Sequence, residues 1–116
     1  MRPDDLPDAE GIVDLREVAE RLIAEARTDD KGRSSVTAVH GDRLRTTVIA
    51  LNAGTGMGEH NSPAAATLQV VAGRVRVYAG ERAWEVSHGQ LMDVPDERHG
   101  VDALEDSVLL LTVAIG

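Results

Sequence analysis

Residues 67–95 read TLQVVAGRVRVYAGERAWEVSHGQLMDVP. Short runs rich in valine are separated by turns at Gly73, Gly80 and Gly89. In the run RVRV, valines alternate with arginines, which is the two-residue period of a strand with one buried face. Several short strands separated by turn residues predict a β-sandwich or a β-barrel.

The same pattern extends in both directions from this segment. A glycine-rich loop is expected over Asn52 to Glu59, where three glycines and several polar residues interrupt the alternation of apolar and polar side chains. The sequence predicts strands at Val36–Val39, Leu44–Leu51, Thr67–Ala72, Arg74–Ala79, Ala83–Ser87, Leu91–Val94, Gly100–Ala103 and Val108–Ile115.

The period changes before Ser35, and a single helix is predicted over Asp14 to Arg27. Asp14 and Glu17 have the spacing of a capping box, and the apolar residues that follow recur at helical spacing. Met1 to Gly11 is acidic and contains two prolines, so we expect an arm. The predicted organisation is an N-terminal arm and helix over residues 1–34 and a barrel over residues 35–116. The fold class is all-β with one N-terminal α-helix.

Composition excludes several classes of function. The 116 residues include no cysteine, which removes disulfide scaffolds and thiolate metal sites. The net charge of −8 repels phosphates, and aromatic residues are only 2% of the chain, so nucleic-acid binding is not expected. No apolar run is long enough to cross a membrane, and no signal peptide is recognisable. We therefore expect a cytoplasmic protein with neither a nucleic-acid nor a membrane partner.

Two histidines stand at motif positions on either side of the opening segment. Gly54 is followed by five residues, then His60, and Gly73 closes the first motif. Gly89 and Pro95, with His99 after them, make the second. In this order and spacing the two motifs resemble those of the cupin superfamily, and the resemblance covers residues 44–115. It implies a double-stranded β-helix, a jelly-roll barrel with a pocket between two sheets.

The resemblance also implies which residues would hold a metal. Metal-binding cupins ligate a divalent ion through His, His, Glu and a final His. His60 matches the first position and His99 the last, but Ser62 stands at the second histidine and Ala66 at the glutamate. Two imidazoles are fewer than the three or more protein ligands that iron, manganese or nickel sites usually have. We expect no cofactor beyond a weakly bound divalent metal on His60 and His99.

Other side chains are candidates for additional ligands. Gln69 is a candidate for ligand binding, although three positions from Ala66 it should face away unless a bulge intervenes. Glu59 adjoins His60 and should point to the opposite face, whereas Glu97 could bend inward from its loop. His40 and His88 lie in turn sequences and are expected in solvent.

These features favour a cupin that binds a small molecule in its barrel through His60, Ser62, His99 and Gln69. The alternative is a metal-dependent enzyme of the dioxygenase or isomerase type that uses His60 and His99. A third hypothesis is a dimeric interaction module whose barrel is structural. We expect a homodimer, because a small barrel leaves sheet edges and apolar surface to cover.

Overall fold

A computed structural model describes residues 11–61 and 65–115. Apart from Gly11, the expected arm lies outside these ranges, and so does Ser62. The elements in chain order are α1 (Leu15–Thr28), β1 (Arg33–His40), β2 (Leu44–Leu51), β3 (Gly56–His60), β4 (Ala66–Ala72), β5 (Arg74–Ala79), β6 (Arg82–Ser87), β7 (Leu91–Asp93), β8 (His99–Ala103) and β9 (Ser107–Ala114).

The predicted helix is observed one residue further along the chain, because Asp14 is its cap. Asp14 Oδ1 accepts hydrogen bonds from the backbone N–H groups of Arg16 at 3.0 Å and Glu17 at 3.4 Å. These two donors have no partner inside the first turn of a helix, so the carboxylate stabilises the helix end. No helix in the described part of the chain is long and apolar enough to cross a membrane.

The strands form two antiparallel sheets. One sheet has the order β1-β2-β9-β4-β7 and the other has the order β3-β8-β5-β6. Successive side chains of a strand point to opposite faces of the sheet. Apolar residues occupy neighbouring positions in the five-stranded sheet, so both of its faces are apolar. Along β2, Ile49 and Leu51 face the other sheet, while Val48 and Ala50 face the helix.

This alternation creates two apolar cores. The inner core lies between the sheets and is aliphatic, with Leu109 of β9 completely buried within it. The outer core lies between α1 and the opposite face of the five-stranded sheet. Its buried residues are Val18, Leu22, Ala26, Val36, Val48, Ala50 and Val108.

The glycine-rich loop expected over Asn52 to Glu59 is wrong in its second half, because Gly56–His60 is strand β3. Local propensity disfavours glycine in strands, but pairing with β8 outweighs it. Gly56 is needed at this pairing, since a Cβ there would collide with the carbonyl oxygen of Val101. The other predicted strands differ from the observed ones mainly at their ends; β1 begins at Arg33, three residues before the predicted start.

Candidate functional site

His60 and His99 lie side by side at one end of the inner core. They are register partners at the ends of β3 and β8. Their ring centroids are 4.6 Å apart, with an angle of 58° between the ring planes. His99 is buried, with 6% of its surface exposed, and His60 is half-buried. The two strands therefore bring together residues that are 39 positions apart in the sequence.

Each imidazole is oriented by a backbone carbonyl two residues before it. The Nδ1 atom of His60 lies 2.9 Å from the oxygen of Gly58, and the Nδ1 atom of His99 lies 2.8 Å from the oxygen of Glu97. A carbonyl oxygen can only accept, so Nδ1 is the donor in both rings. In the neutral imidazole the lone pair is then on Nε2, which leaves both Nε2 atoms able to accept a proton or bind a metal.

The two rings line a cavity of about 20 Å³ between the sheets. One water molecule needs a cavity of about 10–15 Å³, so this one has room for little more than a single water or ion. Apart from the imidazoles its wall is aliphatic or thioether. The lining residues are Ile49, Met57, His60, Leu68, Val77, Met92, Val94, His99, Val101, Leu109 and Leu111.

A register irregularity in β3 determines which of its side chains reach the cavity. Met57 pairs with Val101 and His60 pairs with His99, with a shift between the two pairs. Three positions separate Met57 from His60, so a regular strand would point them to opposite faces. The shift places both on the cavity wall, as a β-bulge does.

The remaining site candidates are placed differently. Ala66 packs against the inner core, so a methyl group stands where the cupin pattern has a carboxylate. Leu68 and Val70 of β4 face the inner core, and Gln69 between them lies on the other face, away from the cavity. Ser62 is outside the described residues.

The nearby carboxylates are held at the surface by arginines. Glu59 forms an ion pair with Arg98 at 3.3 Å, and Glu97 forms one with Arg82 at 2.6 Å. Glu97 therefore does not bend inward. Within residues 11–61 and 65–115, no group of three or more His, Cys, Asp or Glu side chains could hold a metal ion.

The turn histidines lie away from the cavity. His40 Nε2 is 3.4 Å from a guanidinium nitrogen of Arg45, and His88 is exposed. Neither belongs to the cavity wall. Two imidazoles and no carboxylate do not fit the hard divalent ion that the cupin motifs imply.

An open groove of about 340 Å³ adjoins the cavity. Ile49 and Met57 line both spaces, so they form the wall between them. Lys31 and Arg33 lie on the groove, and neither forms an ion pair with any residue that the structure describes. The other lining residues are Asp29, Ser34, Ser35 and Thr47.

Asp29 does not neutralise these cations through an ion pair. Its Oδ2 accepts hydrogen bonds from the backbone N–H groups of Lys31 at 2.9 Å and Arg33 at 3.3 Å. Among the described residues, the Arg33 guanidinium donates to the carbonyl oxygen of Gly56, at 3.4 Å. Within this part of the chain neither cation has a carboxylate partner, although the net charge of the whole chain is −8.

Sequence reasoning missed Met57, Met92, Lys31 and Arg33. Met92 and Val94 are two positions apart, so in an extended chain their side chains point to the same face, and both line the cavity. This alternation was a signal that could have identified Met92. Met57 carried no such signal, because its orientation depends on the irregularity in β3. The groove forms where the loop after α1 approaches β3, a contact that no local pattern records.

Comparison with known proteins identifies the fold. No family model and no curated protein matches the sequence. A conserved protein of unknown function from Streptococcus pyogenes superposes with a TM-score of 0.75 at 25% identity, covering 96% of this chain and 91% of that one. A cupin superfamily protein from Desulfitobacterium hafniense gives 0.67 at 13% identity, covering 72% of this chain and 78% of that chain.

A larger enzyme contains the same architecture. The salicylate 1,2-dioxygenase from Pseudaminobacter salicylatoxidans superposes with a TM-score of 0.70 at 19% identity. The match covers 84% of this chain but 33% of the dioxygenase. At this identity the likeness concerns the fold alone: two facing antiparallel sheets closed into a double-stranded β-helix.

Proposed function

We propose that this chain, a small domain with the cupin fold, binds a small organic anion at the groove and the histidine pair. The observation that carries the proposal is the shared wall of Ile49 and Met57 between the groove and the cavity. The cavity alone is too small for an organic molecule. Between a ligand in the groove and the histidine cavity stand Ile49 and Met57, and the flexible side chain of Met57 can move aside.

The charges of the groove support an anionic ligand. Lys31 and Arg33 are exposed and free of ion pairs with the described residues, and the hydroxyl groups of Ser35 and Thr47 lie on the same groove. The guanidinium group of arginine and the ammonium group of lysine are common binding partners of carboxylate groups. The apolar end at Ile49 and Met57 suits a small carbon skeleton, so we expect a small carboxylic acid.

The histidine pair supports a ligand that also has a hydroxyl group. An imidazole whose Nδ1 donates to a carbonyl has its lone pair on Nε2 when the ring is neutral, and in a largely apolar cavity a hydrogen bond to that atom is worth more than in water. A hydroxyl group would donate to that lone pair. The expected ligand therefore has a carboxylate at one end and a hydroxyl group at the other.

The test uses 4-hydroxybenzoate as the probe in calorimetric titrations, with benzoate and 4-hydroxybenzamide as matched controls. We expect 4-hydroxybenzoate to bind more tightly than either control, because each control lacks one of the two groups. Lys31→Gln and Arg33→Gln should weaken the binding of 4-hydroxybenzoate. His60→Leu should lower its affinity by up to about tenfold, because one hydrogen bond is lost. Equal binding of all three compounds would contradict the proposal.

The alternative is a metal-dependent enzyme that uses His60 and His99, and the position of both imidazoles on the wall of one cavity favours it. The absence of a carboxylate at Ala66 weighs against a tightly held iron. Oxygen uptake is the discriminating measurement, with tag-free protein, added Fe(II) and 4-hydroxybenzoate. Uptake that disappears in His60→Leu would favour the enzyme, and binding without uptake would favour the binding protein.

We also propose a homodimer. Val39 and Leu91 are large apolar residues with 41% and 66% of their surface exposed, on the two edge strands of the five-stranded sheet. Leu44, which is 46% exposed, lies on β2 beside the edge strand β1. Edge strands with exposed apolar side chains favour pairing with a second chain. Light scattering at micromolar concentration tests this, and a stable monomer would contradict it.

A further inference from the structure

Four side chains with soft or borderline donor atoms line the small cavity: His60, His99, Met57 and Met92. The chain has three methionines, one of which is Met1, so both internal methionines are on this wall. We propose that the cavity is a copper(I) site in which the two imidazole Nε2 atoms and the two thioethers are the ligands.

The imidazoles are already oriented for this role. Both Nδ1 atoms donate to backbone carbonyls, at 2.9 and 2.8 Å, and this arrangement fixes the ring planes and leaves Nε2 as the ligand atom. A ligating histidine in a metal site usually has such a partner on its other nitrogen. The centroid separation of 4.6 Å leaves the two rings close enough to share one ion.

The methionines reach the cavity from different strands. Met57 is turned inward by the irregularity in β3, and Met92 on β7 pairs with Leu68, which also lines the cavity. Thioether sulfur is a soft ligand that selects copper(I) over harder metals. Methionine is also flexible enough to adjust its sulfur position around an ion.

Charge and size favour copper(I) over a hard divalent ion. Among the described residues no carboxylate lines the cavity, and Glu59 and Glu97, which stand close to the two histidines in the sequence, are ion-paired with arginines. Two imidazoles and two thioethers form a neutral donor set, which suits a monovalent ion better than iron or manganese, whose sites favour oxygen ligands. A cavity of about 20 Å³ accommodates one ion without displacing a side chain.

The experiment is an anaerobic titration of the full chain with copper(I) against a competing chromogenic chelator. We expect one ion per chain. Met57→Leu and Met92→Leu should each weaken it by about tenfold or more, since losing even an outer partner of a metal site costs 10–100-fold. His60→Leu should weaken it further, whereas His40→Ala and His88→Ala, which change exposed histidines, should leave it unchanged.

Leucine is close to methionine in volume, so the methionine variants should fold, and circular dichroism with thermal unfolding checks this. X-ray absorption of the loaded chain should show nitrogen and sulfur neighbours of copper. Copper affinity that is equal in the native chain and both methionine variants, or a spectrum without sulfur, overturns the proposal.

The proposal does not depend on the organic ligand of the groove. The probe is the metal alone, and Lys31→Gln and Arg33→Gln should leave copper affinity unchanged while weakening 4-hydroxybenzoate. Met92→Leu should do the reverse, because Met92 lies on the cavity but not on the groove. Failure of one proposal is therefore distinguishable from failure of the other.

Discussion

The outer core under α1 and the cavity end of the inner core are filled in different ways. Every buried residue of the outer core is aliphatic, and Leu22 and Ala26 have no exposed surface. The cavity end instead contains two imidazoles, two thioethers and an open volume of about 20 Å³. Close packing stabilises a fold, and polar atoms with empty space beside them do not. The difference predicts that the outer core contributes most to stability, and it agrees with the binding role proposed for the cavity end.

Leu22→Ala should lower the free energy of unfolding by about 2–5 kcal/mol, because it leaves a cavity in a closed aliphatic core. Chemical denaturation monitored by circular dichroism measures the loss. Ile12→Ala is the matched control, since 72% of Ile12 is exposed and its change should stay within about 0.5 kcal/mol. Copper binding by folded Leu22→Ala protein should be unaffected. A loss below 1 kcal/mol would mean that the outer core does not carry the stability assigned to it.

The double variant Ser62→His, Ala66→Glu should convert the cavity end into a hard-metal site. Without metal it should be less stable by about 1–3 kcal/mol, because Ala66→Glu puts a carboxyl group against the apolar wall. With nickel or manganese it should bind more tightly than the native chain, since two ligands of the cupin pattern are restored. Calorimetric titration of both chains measures this, with Gln69→Glu as the control that places a carboxylate on the opposite face. Equal affinities in the double variant and the native chain would contradict the assigned geometry.

Asp14→Ala should lower the free energy of unfolding by about 0.5–2 kcal/mol, because two backbone N–H groups lose their acceptor. Asp30→Ala in the exposed loop after α1 is its control and should have little effect. Thermal unfolding of the two variants tests the difference. If the two losses were equal, the cap would not be what stabilises the start of the helix.

His99→Leu should change the free energy of unfolding least, by less than about 1.5 kcal/mol. It removes one part-buried hydrogen bond to the carbonyl oxygen of Glu97 but replaces a buried polar ring with an apolar side chain. Copper binding should nevertheless be lost. A variant that unfolds as readily as Leu22→Ala would show that the histidine is structural, which would undermine the contrast between the two regions.

Much of the fold follows from local patterns. The alternation of valine and arginine in β5 and the capping spacing at Asp14 act within a few residues, so the helix and most strands could be predicted. The spacing of the two motifs is also a local pattern, and it predicted that His60 and His99 belong to the site. The alternation of side chains along a strand predicted that Glu59 points away from the cavity.

The rest of the site depends on contacts between distant segments. Met57 faces the cavity only because pairing with β8 shifts its register relative to His60. Lys31 in the loop after α1 and Arg33 at the start of β1 share a groove with Met57 of β3, which is distant in the sequence. Neither effect leaves a periodic signal in the chain, so both required the three-dimensional structure.

The decisive measurement is elemental analysis of tag-free protein after dialysis against a chelator. The donor set at His60 and His99, without a carboxylate at Ala66, predicts iron, manganese and nickel contents far below one ion per chain. One tightly held ion of any of these metals per chain would contradict the binding-protein interpretation. It would require further ligands, because the described residues that line the cavity offer only two imidazoles and two thioethers as donors.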